Sequence, residues 1–365
     1  MNWNQVIFGV LVSLGLTMIS LPLLIRLARA YNLMDQPAGH KRHKRPVPVL
    51  GGVGLFVAMW VTIPLAYLIF PGSLEELGDS MLYIFLGALL IFLTGFSDDL
   101  RPLSAWVKLL AQIAAGLVLY MGGLAIDPIS IPFHGSVSIG SFSVVITVLW
   151  VVGLTNAINL IDGLDGLAAG VSLIATLTLS MVGGLYHLGE VLVFACGLVG
   201  FLTVFLIYNR YPARIFLGDS GSMQIGYYFA VISLIVPVKS YTAAALYVPL
   251  LALGVPLLET GVAFTRRLVA GRSIMRPDRR HIFHYLSLAG FSPRRVVLVF
   301  YGLSAIFGLF AAAMFYWNRL LVFGVLALFM VVIFIVFFIL MTNLTRRKKL
   351  GRPPGPDDAE PSGKV

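Results

Sequence analysis

Apolar runs of roughly 20 residues alternate with short polar connections along almost the whole chain. A helix of that length spans the hydrocarbon core of a bilayer, so each run predicts a transmembrane helix. We therefore expect an all-α polytopic membrane protein with about eleven spans. The predicted spans cover about 5–25, 49–70, 80–97, 105–122, 142–159, 165–185, 190–208, 220–237, 241–265, 296–316 and 320–343.

The distribution of basic residues predicts how these spans are oriented. All but two of the 26 Lys and Arg residues, Lys239 and Arg319, fall on one side of the predicted helices. The positive-inside rule assigns that side to the cytoplasm, so we expect the N-terminus outside and the C-terminus inside. The connection near 128–140 then lies outside, and its alternating pattern with Gly and Pro predicts a short hairpin.

The composition agrees with a membrane protein, since 59% of the residues are hydrophobic and 12% are charged. A net charge of +10 would also suit a nucleic-acid-binding protein, but the one-sided placement of Lys and Arg explains it better. We expect one integral membrane domain over 1–344 that carries the catalytic site. Residues 345–365 are expected to form a basic, disordered cytoplasmic tail.

The most informative polar segment is Asn156–Gly166, with the sequence NAINLIDGLDG, between the fifth and sixth spans. Asp162 and Asp165 are three residues apart and would share one face of a helix. Carboxylates at membrane depth are costly and usually mark a functional site. The plain alternative is a polar loop with Asn as a cap and Gly as a turn, which the combined pattern disfavours.

The predicted topology brings further polar clusters to the same cytoplasmic side. They lie at Asp98–Asp99, at Gly218–Gly221, which contains Asp219, and in the basic loop Arg279–His284. Separate loops that converge on one side indicate a site. The alternative for Asp98–Asp99 is a solvated loop pair, and the alternative for Asp219 is a helix N-cap.

The chemistry of these clusters suits a cation and a diphosphate. The five aspartates of these segments would repel one another unless a cation neutralised them, and all-oxygen ligands suit Mg²⁺ or Mn²⁺. The basic loop would bind diphosphate, because Arg does so in bidentate fashion and His adds donors near neutral pH. Zinc binding by His281 and His284 is disfavoured, since no third soft ligand lies nearby.

With these motifs the chain resembles the polyprenyl-phosphate N-acetylhexosamine-1-phosphate transferases. The segments that carry the resemblance are Asp35–Gly52, Gly95–Asp99, Asn156–Gly166, Phe216–Gly221 and Pro277–His284. The last segment resembles the His-Ile-His-His motif of the N-acetylglucosamine-type branch, with Phe283 in place of the second histidine. The wider superfamily includes the phospho-N-acetylmuramoyl-pentapeptide transferase of peptidoglycan synthesis.

The resemblance implies a bacterial inner-membrane enzyme with a cytoplasmic active site. Undecaprenyl phosphate would attack the β-phosphate of a UDP-N-acetylhexosamine, with GlcNAc-1-phosphate as the expected transferred group. UMP would leave, and the lipid-linked sugar pyrophosphate would start O-antigen, teichoic-acid or related cell-surface glycan synthesis. Members of the family often form homodimers, although no residue pattern marks a dimer face here.

The resemblance also implies a role for each candidate residue. Asp219 would bind Mg²⁺ with Asp98, and Asp98 or Asp99 would deprotonate or orient the lipid phosphate. Asp162 and Asp165 are expected to be catalytic and, with Asn156 and Asn159, to hold the nucleotide and help order the metal site. The expected substrate-binding residues are Asn156 and Asn159 for the nucleotide, Arg280, His281 and His284 for the diphosphate, and Lys41, His43 and Lys108 for the lipid phosphate.

Two other functions fit parts of the same pattern. A transporter for an anionic solute would also use intramembrane aspartates and basic loops, although no internal repeat is visible. The pentapeptide transferase branch is disfavoured by the loop Arg279–His284 and by the eleventh span, since that branch has ten.

Overall fold

The computed structural model describes residues 3–37, 45–70, 72, 74, 77–131, 135–239, 244–269 and 281–349. Each of the eleven predicted spans coincides with helical structure in these ranges. The helices are α1 (Trp3–Ala30), α2 (Gly51–Ile69), α3 (Ser80–Leu100), α4 (Ala105–Met121), α5 (Ser143–Ile161), α6 (Leu167–Leu185), α7 (Gly189–Asn209), α8 (Gly218–Lys239), α9 (Ala244–Ala252), α10 (Gly254–Val269), α11 (Ile282–Leu288), α12 (Pro293–Tyr316) and α13 (Arg319–Lys349).

The lengths and composition of these helices confirm the all-α polytopic fold. Among the described residues, eight helical segments are long and apolar enough to cross a membrane. The apolar helix α4 is shorter, with 17 residues. The other two predicted spans correspond to α8 and to the pair α9 and α10.

The ninth predicted span is interrupted at Leu253, between Pro249 and Pro256. The backbone N–H of Leu253 donates to the carbonyl of Pro249 at 3.0 Å, and that of Leu257 donates to the carbonyl of Leu253 at 3.1 Å. Pro256 has no N–H to donate to the preceding turn, so the helix is broken at this point. The ninth predicted span is therefore two helices, α9 and α10.

Helix α8 lies at the centre of the bundle, where it packs against α2, α3, α5 and α7. The side chains of Tyr227 and Phe229 are fully buried, and the hydroxyl of Tyr227 donates to the carbonyl of Ile84 at 2.9 Å. A Cβ on Gly226 would lie 2.5 Å from the carbonyl oxygen of Leu154, so α5 and α8 pack backbone to backbone. This packing fixes the position of the first turn of α8, which carries Asp219.

Two short antiparallel ribbons and a short 3-10 helix (Gly140–Phe142) complete the described structure. Strands β3 (Ile129–Ile131) and β4 (Gly135–Val137) pair as the hairpin predicted near 128–140. Strands β1 (Met34–Asp35) and β2 (Val47–Pro48) form a ribbon that the pattern did not predict. Helix α13 continues to Lys349, five residues past the expected domain boundary at 344, and 350–365 lie outside the described residues.

Candidate active site

Asp99, near the end of α3, binds the first turn of α8. Its Oδ1 accepts the N–H of Asp219 at 2.7 Å, and its Oδ2 accepts the N–H of Ser220 at 3.2 Å and the Ser220 hydroxyl at 2.5 Å. The first N–H groups of a helix have no partner within that helix. A carboxylate from another helix supplies the cap here, so Asp219 is not itself the cap of α8.

Three glycines make this contact between helices sterically feasible. A Cβ on Gly95 would lie 2.5 Å from Ser220 Cα, and a Cβ on Gly52 would overlap the Ser220 hydroxyl. Gly218 has a φ of +69°, and a Cβ there would lie 2.5 Å from Asp99 Oδ2. Glycine is the residue that adopts this conformation without strain. The glycines of three separate motifs are therefore needed to seat Ser220 against Asp99.

Lys108 joins the acidic end of α3 to the start of α8. Its Nζ lies 2.8 Å from Asp219 Oδ2 and 3.3 Å from Asp98 Oδ2. The other oxygen of Asp98 accepts the N–H of Leu103 at 2.7 Å, which closes the connection between α3 and α4. Two carboxylates from different helices thus face one cation.

The two asparagines of the Asn156–Gly166 segment contact different helices. The Nδ2 of Asn159 donates to Ser222 Oγ of α8 at 3.0 Å. The Nδ2 of Asn156 donates to the Oε1 of Gln112, a buried residue of α4, at 2.5 Å. Asn159 therefore lies beside the first turns of α8, whereas Asn156 holds α4 against α5.

Asp162 follows the last residue of α5 and is partly buried. Burial, together with the negative charges of Asp219, Asp99 and Asp165, raises the pKa of its carboxyl to about 7. These interactions place four of the five predicted aspartates close enough to influence one another. Asp98 and Asp99 lie within α3 and Asp99 binds α8, so the alternative of a solvated loop pair for these two residues is wrong.

Asp165 and Asn209 brace the connection that leads into α8. Asp165 Oδ2 accepts the N–H of Ala213 at 2.9 Å. Asn209 Oδ1 accepts the N–H of Gly166 at 2.9 Å, and its Nδ2 donates to the carbonyl of Ile215 at 2.8 Å. The contact shown for Asp165 is with the backbone, so its catalytic role stays a prediction.

The described part of the basic loop is anchored by a carboxylate of α10. His281 Nδ1 lies 3.1 Å from Glu259 Oε1, and the same oxygen accepts the N–H of Ile282 at 2.8 Å. The ring of Phe283 is buried and lies next to Gly163, while His284 packs against Phe283 with ring centroids 4.5 Å apart. The loop therefore lies against the segment that carries Asp162. The remaining predicted residues Lys41, His43 and Arg280 lie outside the described residues.

Three residues of this arrangement were missed by the sequence analysis: Gln112, Asn209 and Glu259. Glu259 is the only carboxylate in the predicted span 241–265, and an isolated charge in an apolar run is itself an indication of function. Gln112 follows Lys108 by four residues and so lies on the same helix face. Nothing in the sequence around Asn209 distinguishes it from a residue at a helix end.

The donor set facing Lys108 fits a hard divalent cation. Within the described ranges, no three His, Cys, Asp or Glu side chains are grouped to hold a metal ion. Two aspartates, Asp98 and Asp219, do converge on one cation position. Mg²⁺ usually binds through one or two protein carboxylates and fills its remaining positions with water and phosphate oxygens, so the pair fits its preferences.

Comparisons with known proteins decide the family. Residues 81–237 match the family model described as glycosyl transferase family 4. The chain is also 36% identical over 335 residues to a probable undecaprenyl-phosphate N-acetylglucosaminyl 1-phosphate transferase of Bacillus subtilis, covering 90% of this chain and 91% of that protein. The chain belongs to glycosyl transferase family 4. The family resemblance found in the sequence is therefore confirmed.

Two further relatives represent different branches of the family. A decaprenyl-phosphate N-acetylglucosaminephosphotransferase of Mycobacterium tuberculosis is 34% identical over 320 residues, which cover 80% of this chain and 78% of that protein. A phospho-N-acetylmuramoyl-pentapeptide-transferase of Listeria monocytogenes is 31% identical over 304 residues, covering 78% of this chain and 89% of that protein.

Proposed function

We propose that this protein transfers N-acetylglucosamine-1-phosphate from UDP-GlcNAc to undecaprenyl phosphate. UMP would be released and a lipid-linked sugar pyrophosphate formed, the first intermediate of a cell-surface glycan. The observation that carries the proposal is the shared contact of Lys108 with Asp98 and Asp219 at one end of an apolar bundle. The names of the Bacillus subtilis and Mycobacterium tuberculosis relatives support the same reaction.

The position of Lys108 suits a lipid substrate that has an apolar chain and a charged phosphate. Trp106, Val107 and Leu110, on the same turns of α4, are exposed apolar side chains and suit contact with lipid. A polyprenyl chain would stay in the bilayer beside them while its phosphate reached the ammonium of Lys108. The water-borne nucleotide would arrive from the polar end of the bundle.

The reaction needs charge screening more than covalent chemistry from the protein. An oxygen of the lipid phosphate would form a bond to the β-phosphorus, and the bond from that phosphorus to the bridging oxygen would break, with UMP taking the electron pair. A phosphate monoester has a second pKa near 6 and is largely ionised at neutral pH, so its attack would not require Asp98 as a general base. Positioning and charge neutralisation supply most of the rate in such transfers.

Asp219 and Asp98 are the residues proposed to hold Mg²⁺. The bound ion would neutralise charge on the donor diphosphate and on the departing UMP. Lys108 would then donate to an oxygen of the lipid phosphate. Asp162 would add negative charge near the proposed cation position. Asn159 would hold the nucleotide next to the first turns of α8.

The reaction can be tested directly with purified protein in lipid nanodiscs. Protein, undecaprenyl phosphate and Mg²⁺ would be incubated with UDP-GlcNAc, UDP-GalNAc or UDP-MurNAc-pentapeptide, and UMP release measured. We expect UMP release with UDP-GlcNAc, the preferred donor, and none without the lipid. Uptake of a labelled anionic solute into proteoliposomes without UMP release would instead support a transporter.

We further propose that the site faces the cytoplasm across the bacterial inner membrane. Arg101, two residues after Asp99, is exposed and offers a labelling position. In a Cys196→Ser background, a cysteine replacing Arg101 should react with a membrane-impermeant maleimide only after the cells are opened. Labelling of intact spheroplasts would reverse the proposed orientation.

A further inference from the structure

Glu259 is a buried carboxylate in the middle of α10, with a relative exposure of 1%. Its Oε1 receives two contacts, from the backbone N–H of Ile282 at 2.8 Å and from His281 Nδ1 at 3.1 Å. Its Oε2 is buried and has no hydrogen-bond partner among the described residues. A buried carboxylate is costly unless a cation compensates it, so the neighbouring imidazole is the group to consider.

The contacts determine which nitrogen of His281 carries a proton. An ionised carboxylate can only accept hydrogen bonds, and Oε1 already accepts the N–H of Ile282. In its contact with Oε1, Nδ1 must therefore be the donor. The ring is stacked against Phe283 with centroids 5.2 Å apart and an interplanar angle of 9°, which restricts its rotation. Nε2 is therefore the nitrogen that points away from Glu259.

Phe283 connects this pair to the rest of the site. A Cβ on Gly163 would lie 2.6 Å from Phe283 Cζ, so the ring fits only because residue 163 has no side chain. Gly163 directly follows Asp162, whose carboxyl interacts with Asp99 and Asp219. The contact of Phe283 with Gly163 thus joins the segment that carries His281 to the segment that carries Asp162.

We propose that Glu259 is a positioning residue that orients His281 through Nδ1 and compensates the charge of its ring when Nε2–H donates to the diphosphate of the nucleotide-sugar donor. This inference rests on the proposed function and adds a residue to it. The negative charge of Glu259 is the essential property. A neutral His281 with its proton on Nδ1 would present an unprotonated Nε2, which cannot donate to a phosphate oxygen.

The variant that isolates the charge is Glu259→Gln. The amide oxygen of Gln accepts the same two N–H groups, so the geometry is kept while the negative charge is lost. We expect the KM for UDP-GlcNAc to rise about tenfold or more, in the range of one lost charge-assisted hydrogen bond. The KM for undecaprenyl phosphate should stay within about twofold, since Lys108 rather than His281 is assigned to that substrate.

Three further variants make the test specific. His281→Gln should raise the same KM to a similar extent, and the double variant should be no worse than either single variant, because both remove one interaction. Glu190→Gln is the control: it removes a buried carboxylate at the start of α7, the end opposite to Asn209, and should leave both KM values unchanged.

Binding of UDP to the wild type and the variants, followed by calorimetry, provides a readout that needs no turnover. Weaker UDP binding in Glu259→Gln and His281→Gln, without additivity, would support the pairing even if UDP-GlcNAc proved to be the wrong donor. A wild type that binds UDP but releases no UMP would overturn the proposed function alone. Unchanged KM and UDP affinity in Glu259→Gln, or a loss of stability without a change in either, would overturn the role of Glu259.

Discussion

The Nζ of Lys108 lies 2.8 Å from Asp219 Oδ2 and also contacts Asp98, so one ammonium links the end of α3 to the start of α8. Ion pairs of partly buried groups depend on both partners, because removing one leaves the other charge uncompensated. Lys108 therefore keeps two carboxylates together at the place where a divalent cation is proposed to bind.

Replacing Lys108 with Met should make the protein more dependent on divalent cations. Without the ammonium, Asp98 and Asp219 repel each other, so the melting temperature in EDTA should fall below that of the wild type. Added Mg²⁺ should then raise the melting temperature by more than it does in the wild type. Arg101→Met, at an exposed cation nearby, is the control. An equal Mg²⁺ effect in Lys108→Met and the wild type would show that Lys108 and the ion do not share these carboxylates.

Replacing Asp99 with Ala should destabilise the start of α8. The N–H groups of Asp219 and Ser220 would lose their acceptor, at a cost of about 1–3 kcal/mol for each group left unsatisfied. Asp99→Asn keeps one acceptor oxygen and should cost less. Thermal unfolding of both variants in detergent measures this difference. If Asp99→Asn were as stable as the wild type yet inactive, Asp99 would instead act on the substrate.

Replacing Gly163 with Ala should disturb the basic loop. The new methyl group would lie 2.6 Å from Phe283 Cζ, and the ring would have to move at a cost of about 1–3 kcal/mol. We expect a lower kcat/KM for UDP-GlcNAc, with recovery when Phe283→Leu is added. Gly153→Ala is a matched control in α5, since no atom lies within 4 Å of its Cβ position. Equal losses in Gly163→Ala and Gly153→Ala would contradict the contact with Phe283.

The raised pKa of Asp162 predicts a pH dependence of stability in metal-free protein. The folded-state pKa is about 7 and the ordinary value is 3.8, so the unfolded chain ionises first as the pH rises. Folding stability should therefore fall between about pH 4 and pH 7. Asp162→Asn removes this contribution. The melting temperature of the variant in EDTA, measured relative to that of the wild type, should therefore rise between about pH 4 and pH 7 and stay constant above pH 7. A constant difference between the two proteins from pH 4 to pH 8 would show that Asp162 ionises normally.

The sequence predicted the helices well because bilayer thickness fixes the length of an apolar run. It did not predict the break at Leu253 as two helices, or the short helix α11, because both depend on a few local residues inside longer segments. The ribbon of β1 and β2 was missed for another reason. Its strands have two residues each and are separated by residues 36–46, so no alternating pattern develops.

The sequence predicted which polar residues gather at the candidate site but not most of the contacts between them. Asp98, Asp162 and Asp219 stand out because carboxylates are rare near membrane spans. That Asp99 caps another helix depends on close packing at Gly95 and Gly218, which no local pattern reveals. Glu259 stands out as an isolated carboxylate in an apolar span, but its pairing with His281, 22 residues away in sequence, does not follow from that pattern.

The most direct test of the account is the rate of UMP release by Asp219→Asn compared with the wild type, in nanodiscs with UDP-GlcNAc, undecaprenyl phosphate and a Mg²⁺ titration. Asn keeps the size of the side chain, so the protein should fold and insert, while the charge that faces Lys108 is lost. We predict that release falls at least a hundredfold at every Mg²⁺ concentration, with lipid-linked product lost in parallel. A variant that turned over at the wild-type rate with the same Mg²⁺ dependence would contradict the placement of the reaction at Asp219.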